Sequence, residues 1–179
     1  MSILLVGLLE DVAVELVSRL VRQGDEVRVL ETSHEGDLMW KDLGAHVAVG
    51  PMDDWDLVER AATNVRTLVL GPELEPSSRE TVEQILRGAR QASVGRVVVC
   101  TPEPDEEVLA ALRAGPFEYV ALSTGKRGLI RRGSDIEVTS IAEAIDAADD
   151  LAGEPRLELD LTSEADWAPL RLPSPERSG

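Results

Sequence analysis

Ile3-Leu4-Leu5-Val6-Gly7-Leu8-Leu9-Glu10-Asp11-Val12-Ala13 is the stretch that decides how the rest of the chain is read. Its apolar start makes a short strand, Gly7 permits a tight turn, and a helical pattern begins within the next few positions. A strand that turns into a helix this way leaves the first backbone N–H groups of the helix at the positive end of its dipole, where an anion is stabilised. For a phosphate to approach such a turn, small residues are needed at Gly7 and at the places taken here by Glu10 and Ala13. Ala13 is small enough. Glu10 is not, and its carboxylate occupies the end of the dipole that would otherwise receive the phosphate. The expectation is a chain that keeps the fold and fills its own phosphate site.

Working outward, residues 11–23 carry Val12, Leu16 and Leu20 beside Ala13, Val17 and Val21, the stripe of a half-buried helix, with Gly24 as its stop. Arg19 and Arg22 suit the last turns of that helix. A strand follows at 27–30, then a weaker helix at 37–43 ended by Gly44, and a third strand at 46–49. The helix expected at 54–62 opens on Asp53, Asp54 and Asp56, which match its dipole, and 67–70 is a fourth strand. Ser77-Ser78-Arg79-Glu80 reads as a capping box, opening a helix that buries Val82, Ile85, Leu86 and Ala89. Strand 97–100, helix 105–114 closed by Gly115-Pro116, strand 119–122 and a loop at 123–134 come next. A second box, Ser140-Ile141-Ala142-Glu143, opens a helix with Ile141, Ala144, Ile145 and Ala148 inward. Leu157, Leu159 and Leu161 alternate with charges, the mark of a strand at a sheet edge.

Strands alternating with helices at this spacing predict an α/β fold with a doubly wound, mainly parallel sheet of the Rossmann-like kind and right-handed crossovers. One domain is expected over residues 1–162. Residues 163–179, with Pro169, Pro173 and Pro175, read as an extended or disordered tail.

The chain of 179 residues is long enough to bury about 70% of the surface it exposes when unfolded, so neither disulfide nor metal staple is required. A formal charge of −16 argues against nucleic acid or anionic membrane as a partner, since both would be repelled at long range. The single cysteine, Cys100, lies in an apolar run and reads as a buried thiol in a reducing compartment, with a reactive thiol as the other reading. Nothing resembles a signal peptide or spanning helix, so a cytoplasmic location is expected.

The order of these elements resembles the atypical short-chain dehydrogenase/reductases, in particular the NmrA-like NAD(P)-binding proteins, as a shortened and degenerate member. The residues that carry the resemblance are 3–13, Val27-Arg28-Val29-Leu30, Leu43-Gly44-Ala45-His46-Val47-Ala48-Val49-Gly50, Gly95-Arg96-Val97-Val98-Val99 and Phe117-Glu118-Tyr119-Val120-Ala121-Leu122, and the likeness runs to about Thr162. It implies a dinucleotide site in which Gly7 makes the turn, Glu10 replaces the residue that must let a phosphate approach, and Glu31-Thr32 stands where NADP-preferring members carry a basic residue. Glu31 could accept a hydrogen bond from a ribose hydroxyl and so favour NAD. Gly50-Pro51 replaces the family's Gly-Asp, removing a carboxylate from beside the adenine. Gly71-Pro72 falls where such folds often approach the nucleotide, or is a plain turn.

A carboxylate 4 Å from a phosphate charge costs about 4 kcal/mol at an effective dielectric near 20, roughly a thousandfold in affinity. On that ground no cofactor is expected, with NAD(P) as the alternative should Glu10 swing into solvent. The resemblance also implies a catalytic Tyr and Lys four residues apart on a helix. Here the only tyrosine is Tyr119, with Ser123 at the fourth position, and it falls in a strand.

Lys126, Arg127, Arg131 and Arg132 form the one basic stretch, read either as a site for an anion or acidic partner or as a solvated loop. Asp53, Asp54 and Asp56 read as helix capping in preference to a cation site, and His34 and His46 are too isolated for a metal. Trp40 and Trp55 read as packing residues or as a dimer face. The function expected from all this is a non-catalytic Rossmann-fold protein with a degenerate dinucleotide site, acting on a protein partner or as a homodimer. The alternative is a small NAD(P)-dependent reductase or cofactor sensor.

Overall fold

The computed structural model describes residues 2–74, 79–103, 106–125, 138–151 and 156–161. Seven strands run in the order β3-β2-β1-β4-β5-β6-β7, every neighbouring pair parallel. They are β1 (Ser2–Val6), β2 (Glu26–Glu31), β3 (His46–Val49), β4 (Thr67–Leu70), β5 (Arg96–Thr101), β6 (Glu118–Ser123) and β7 (Arg156–Asp160). The helices among the described residues are α1 (Glu10–Gln23), α2 (Asp37–Asp42), α3 (Trp55–Ala61), α4 (Arg79–Gln91), α5 (Glu106–Ala114) and α6 (Val138–Asp150). This is the doubly wound parallel sheet expected from the alternation of elements, with β7 at its edge.

The central strands are buried on both faces, so their side chains divide between two cores by the two-residue period of the backbone. Ile3 and Leu5 of β1 pack with Val29, Val98, Leu16 and Ile145 under α1 and α6. Leu4 and Val6 face the other way, with Leu68, Val97, Val58 and Ile85 under α3 and α4. A buried polar tie joins α6 to the amino-terminal edge of the sheet: Thr67 Oγ1 donates to Asp149, and the Arg96 guanidinium donates to the Ala148 and Asp149 carbonyls and pairs with Glu118 at 2.7 Å. Burial, opposed in part by the Thr67 hydrogen bond and by Arg66 and Arg96, raises the pKa of Asp149.

Local chemistry explains most boundaries. Gly24 ends α1 in the left-handed region with φ of 89°. Asp54 caps α3 by accepting from the Asp56 and Leu57 N–H groups at 3.1 and 3.2 Å, which is the capping expected of the acidic run. One boundary differs from expectation: α6 starts at Val138, so Ser140 lies inside the helix and not ahead of it. The helix extends one turn's fraction further toward its N-terminus than the box allows, because capping is only one of several ways to satisfy the first N–H groups. Ser77 and Ser78 of the other box, the basic residues Lys126, Arg127, Arg131 and Arg132, and the tail at 163–179 lie outside the described residues. Cys100 is fully buried, which pushes its thiol up to about 12 and makes it a packing residue. No helix among the described residues is long and apolar enough to cross a membrane.

Candidate functional site

The strand order reverses between β1 and β4, and the carboxyl ends of these two strands open the crevice in which open α/β sheets bind ligands. Gly7 and Gly71 stand at those ends. Gly7 has φ of +64°, and a Cβ on it would lie 2.7 Å from Leu74 Cδ2. A Cβ on Gly71 would strike the Gly7 carbonyl oxygen and lie 2.5 Å from Leu8 Cα. The two turns are stitched together by the Gly71 N–H on the Val6 carbonyl at 2.9 Å and the Glu73 N–H on the Gly7 carbonyl at 2.7 Å. Gly71 is thus held to glycine by the close approach of the Gly7 turn.

The N-terminus of α1 faces this crevice with no side-chain cap, since its N-cap residue is Leu9. Glu10 and Asp11 are exposed in its first turn, and no hydrogen bond ties Glu10 to the turn among the described residues. The first N–H groups are left for solvent or for an anion.

Beside the turn lies a cavity of about 60 Å³ lined by Gly7, Leu8, Glu31, Trp40, Met52 and Glu73, among others. It is too small to enclose a nucleotide, so most of such a ligand would rest in the open crevice. Glu31 ends β2 at its wall, and its carboxylate Oε1 accepts the Trp40 Nε1–H at 2.7 Å. Burial raises the pKa of Glu31, the Trp40 hydrogen bond opposes the rise, and the negative charges of Glu10, Asp37 and Glu73 add to it. The residues that resemblance places at a dinucleotide site, Gly7, Glu10, Glu31 and Gly71, are therefore gathered at one end of the sheet. Sequence reading missed Trp40, Met52 and Glu73 as lining residues. Trp40, expected as a packing residue or a dimer face, is only 3% exposed, and Met52 is buried beside Pro51.

At the carboxyl ends of β5 and β6, Thr101 and Ser123 are register partners. Ser123 Oγ donates to the Pro102 carbonyl at 3.1 Å, whereas Thr101 Oγ1 is buried without a hydrogen-bond partner among the described residues. Tyr119 lies near the opposite edge, 3% exposed, with its hydroxyl 3.1 Å from Glu158 Oε1. His34 is exposed and pairs with Asp37 at 2.9 Å, and no group of side chains suited to a metal occurs among the described residues.

No protein-family model and no curated protein matches the sequence. The fold, by contrast, is shared at low identity with solved reductases and short-chain dehydrogenase/reductases. The triphenylmethane reductase of Citrobacter sp., solved with NADP(H), superimposes with a TM-score of 0.73 at 14% identity over 90% of this chain and 70% of that one. A short-chain dehydrogenase/reductase of Veillonella parvula in complex with NADP gives 0.67 at 13% identity over 86% and 88%. ChuY, an anaerobilin reductase of Escherichia coli O157:H7, gives 0.69 at 13% identity over 88% and 95%. The chain therefore has a Rossmann-like fold. The expectation of no cofactor is corrected by the same finding, because two proteins of this fold hold NADP(H). The cost expected of Glu10 holds for a carboxylate buried against the phosphate, whereas Glu10 is exposed in the first helical turn, where solvent screens its charge.

Proposed function

We propose that this protein binds a nicotinamide nucleotide at the crevice between β1 and β4, prefers NAD(H) to NADP(H), and acts without catalysis by binding another protein or a second copy of itself. The observation that carries the reading is the uncapped α1 N-terminus set against the Gly7–Gly71 contact, with the Glu31 carboxylate at the end of β2. The diphosphate would take the free N–H groups of α1, and the ribose of the adenosine half would meet Glu31. The bound nicotinamide would supply a hydride donor or acceptor. A non-catalytic role is supported by Tyr119, the only tyrosine of the chain, which is spent on Glu158 away from the crevice. The free thiol of Cys100 fits a cytoplasmic setting.

Calorimetric titration with NAD, NADH, NADP and NADPH tests the reading. Binding of NADH in the micromolar range with no turnover of carbonyl substrates supports it, and absence of binding by all four overturns it. A second reading, a small reductase, is favoured by the buried Thr101 hydroxyl at the carboxyl edge of the sheet, which has no hydrogen-bond partner among the described residues. Oxidation of bound NADH in the presence of an acceptor, lost in Thr101→Val, would select it.

A further inference from the structure

The Trp40–Glu31 hydrogen bond joins two residues of the cavity wall. Trp40 reaches it from α2, nine residues along the chain, and its ring is almost wholly buried. An indole N–H can only donate, so it takes up one lone pair of one carboxylate oxygen and offers Glu31 no competing acceptor. Glu31 needs such a partner. Its half-buried carboxylate sits in the field of Glu10, Asp37 and Glu73, and the indole is the group that favours its charged form.

We propose that Trp40 is the positioning residue for nucleotide specificity: its indole fixes the Glu31 carboxylate so that the second oxygen meets a ribose 2′-hydroxyl and repels a 2′-phosphate. The inference rests on the reading that the crevice binds a nicotinamide nucleotide. A carboxylate free to rotate turns from an incoming phosphate and discriminates less. One held by a buried ring cannot, and NAD-type nucleotides are selected by a fixed charge.

Trp40→Phe keeps an aromatic ring at this buried position but removes the N–H together with part of the indole. A second variant leaves both partners intact: Gly36 has right-handed helical backbone, so Gly36→Ala is unstrained, yet its Cβ would stand 3.2 Å from Trp40 Nε1 and crowd the bond. The readout is the ratio of NADPH to NADH dissociation constants by calorimetry, with circular dichroism confirming the fold. Wild type is expected to favour NADH, and each variant to narrow the ratio about tenfold, the worth of one hydrogen bond to a charged group. In a Glu31→Ala background, Trp40→Phe is expected to change the ratio no further. Should Trp40→Phe fail to fold, Gly36→Ala decides alone. A wild type that binds neither nucleotide overturns the functional reading and this inference with it. A wild type that binds NADH while the folded variants keep its ratio overturns the inference alone, as does an effect of Trp40→Phe that persists without Glu31.

Discussion

One added methyl group at Gly71 would part the two turns on which the crevice is built. Its Cβ meets backbone, the Gly7 carbonyl and Leu8 Cα, and not the tip of a flexible side chain that could swing away. Gly71→Ala is therefore expected to cost about 1–3 kcal/mol, the usual range for overpacking, read as a lower denaturation midpoint in urea; an unchanged midpoint would refute the contact. Asp149, 2% exposed, gives a pH dependence whose sign follows from its raised pKa. Folding favours its protonated form, so its contribution to stability is fully present below the ordinary value of 3.8 and is lost as pH rises through the higher folded value. Asp149→Asn stays neutral and keeps an oxygen for the Thr67 hydroxyl. It is expected to melt above wild type at about pH 7 and to lose that advantage toward about pH 4, followed by thermal denaturation across the range.

At the scale of the element, α1 holds a compromise between folding and binding. Glu10 and Asp11 in its first turn complement the helix dipole and stabilise the helix, yet they stand beside the N–H groups an anionic ligand needs. Glu10→Gln should therefore move the two properties in opposite directions. The melting temperature falls slightly, while affinity for NADH rises about fivefold, since one exposed like charge is removed from beside the diphosphate. Calorimetry on the variant checks this; equal affinity would mean that Glu10 is turned from the ligand path. The α6 helix offers the structural contrast. Its C-terminal carbonyls accept from Arg96 of β5 and its Asp149 accepts from Thr67 of β4, so its C-terminal end is tied to the sheet.

For the whole molecule, the net charge of −16 opposes any anionic ligand, and Glu10, Glu31, Asp37 and Glu73 concentrate that field at the crevice. Screening should relieve it. The affinity for NADH is expected to increase as salt is raised from about 20 to 200 mM, where the Debye length shortens from over 20 Å to under 10 Å; a fall in affinity over that range would show that attraction to cationic groups dominates.

The sequence by itself determined the alternation of elements, because apolar periods of two and of 3.6 are local properties. It determined the helix stop at Gly24 and the cap at Asp54, because these act within one turn, and the turn at Gly7, because only a residue without Cβ sits easily there. Tertiary structure alone decided that Gly71 presses on Gly7, 64 residues earlier in the chain, and that Trp40 gives its indole N–H to Glu31. It decided too that Glu10 lies exposed in the first turn of α1 and is not buried there. These contacts depend on which strands become neighbours and on how a side chain is turned, and hydrophobic periodicity carries neither.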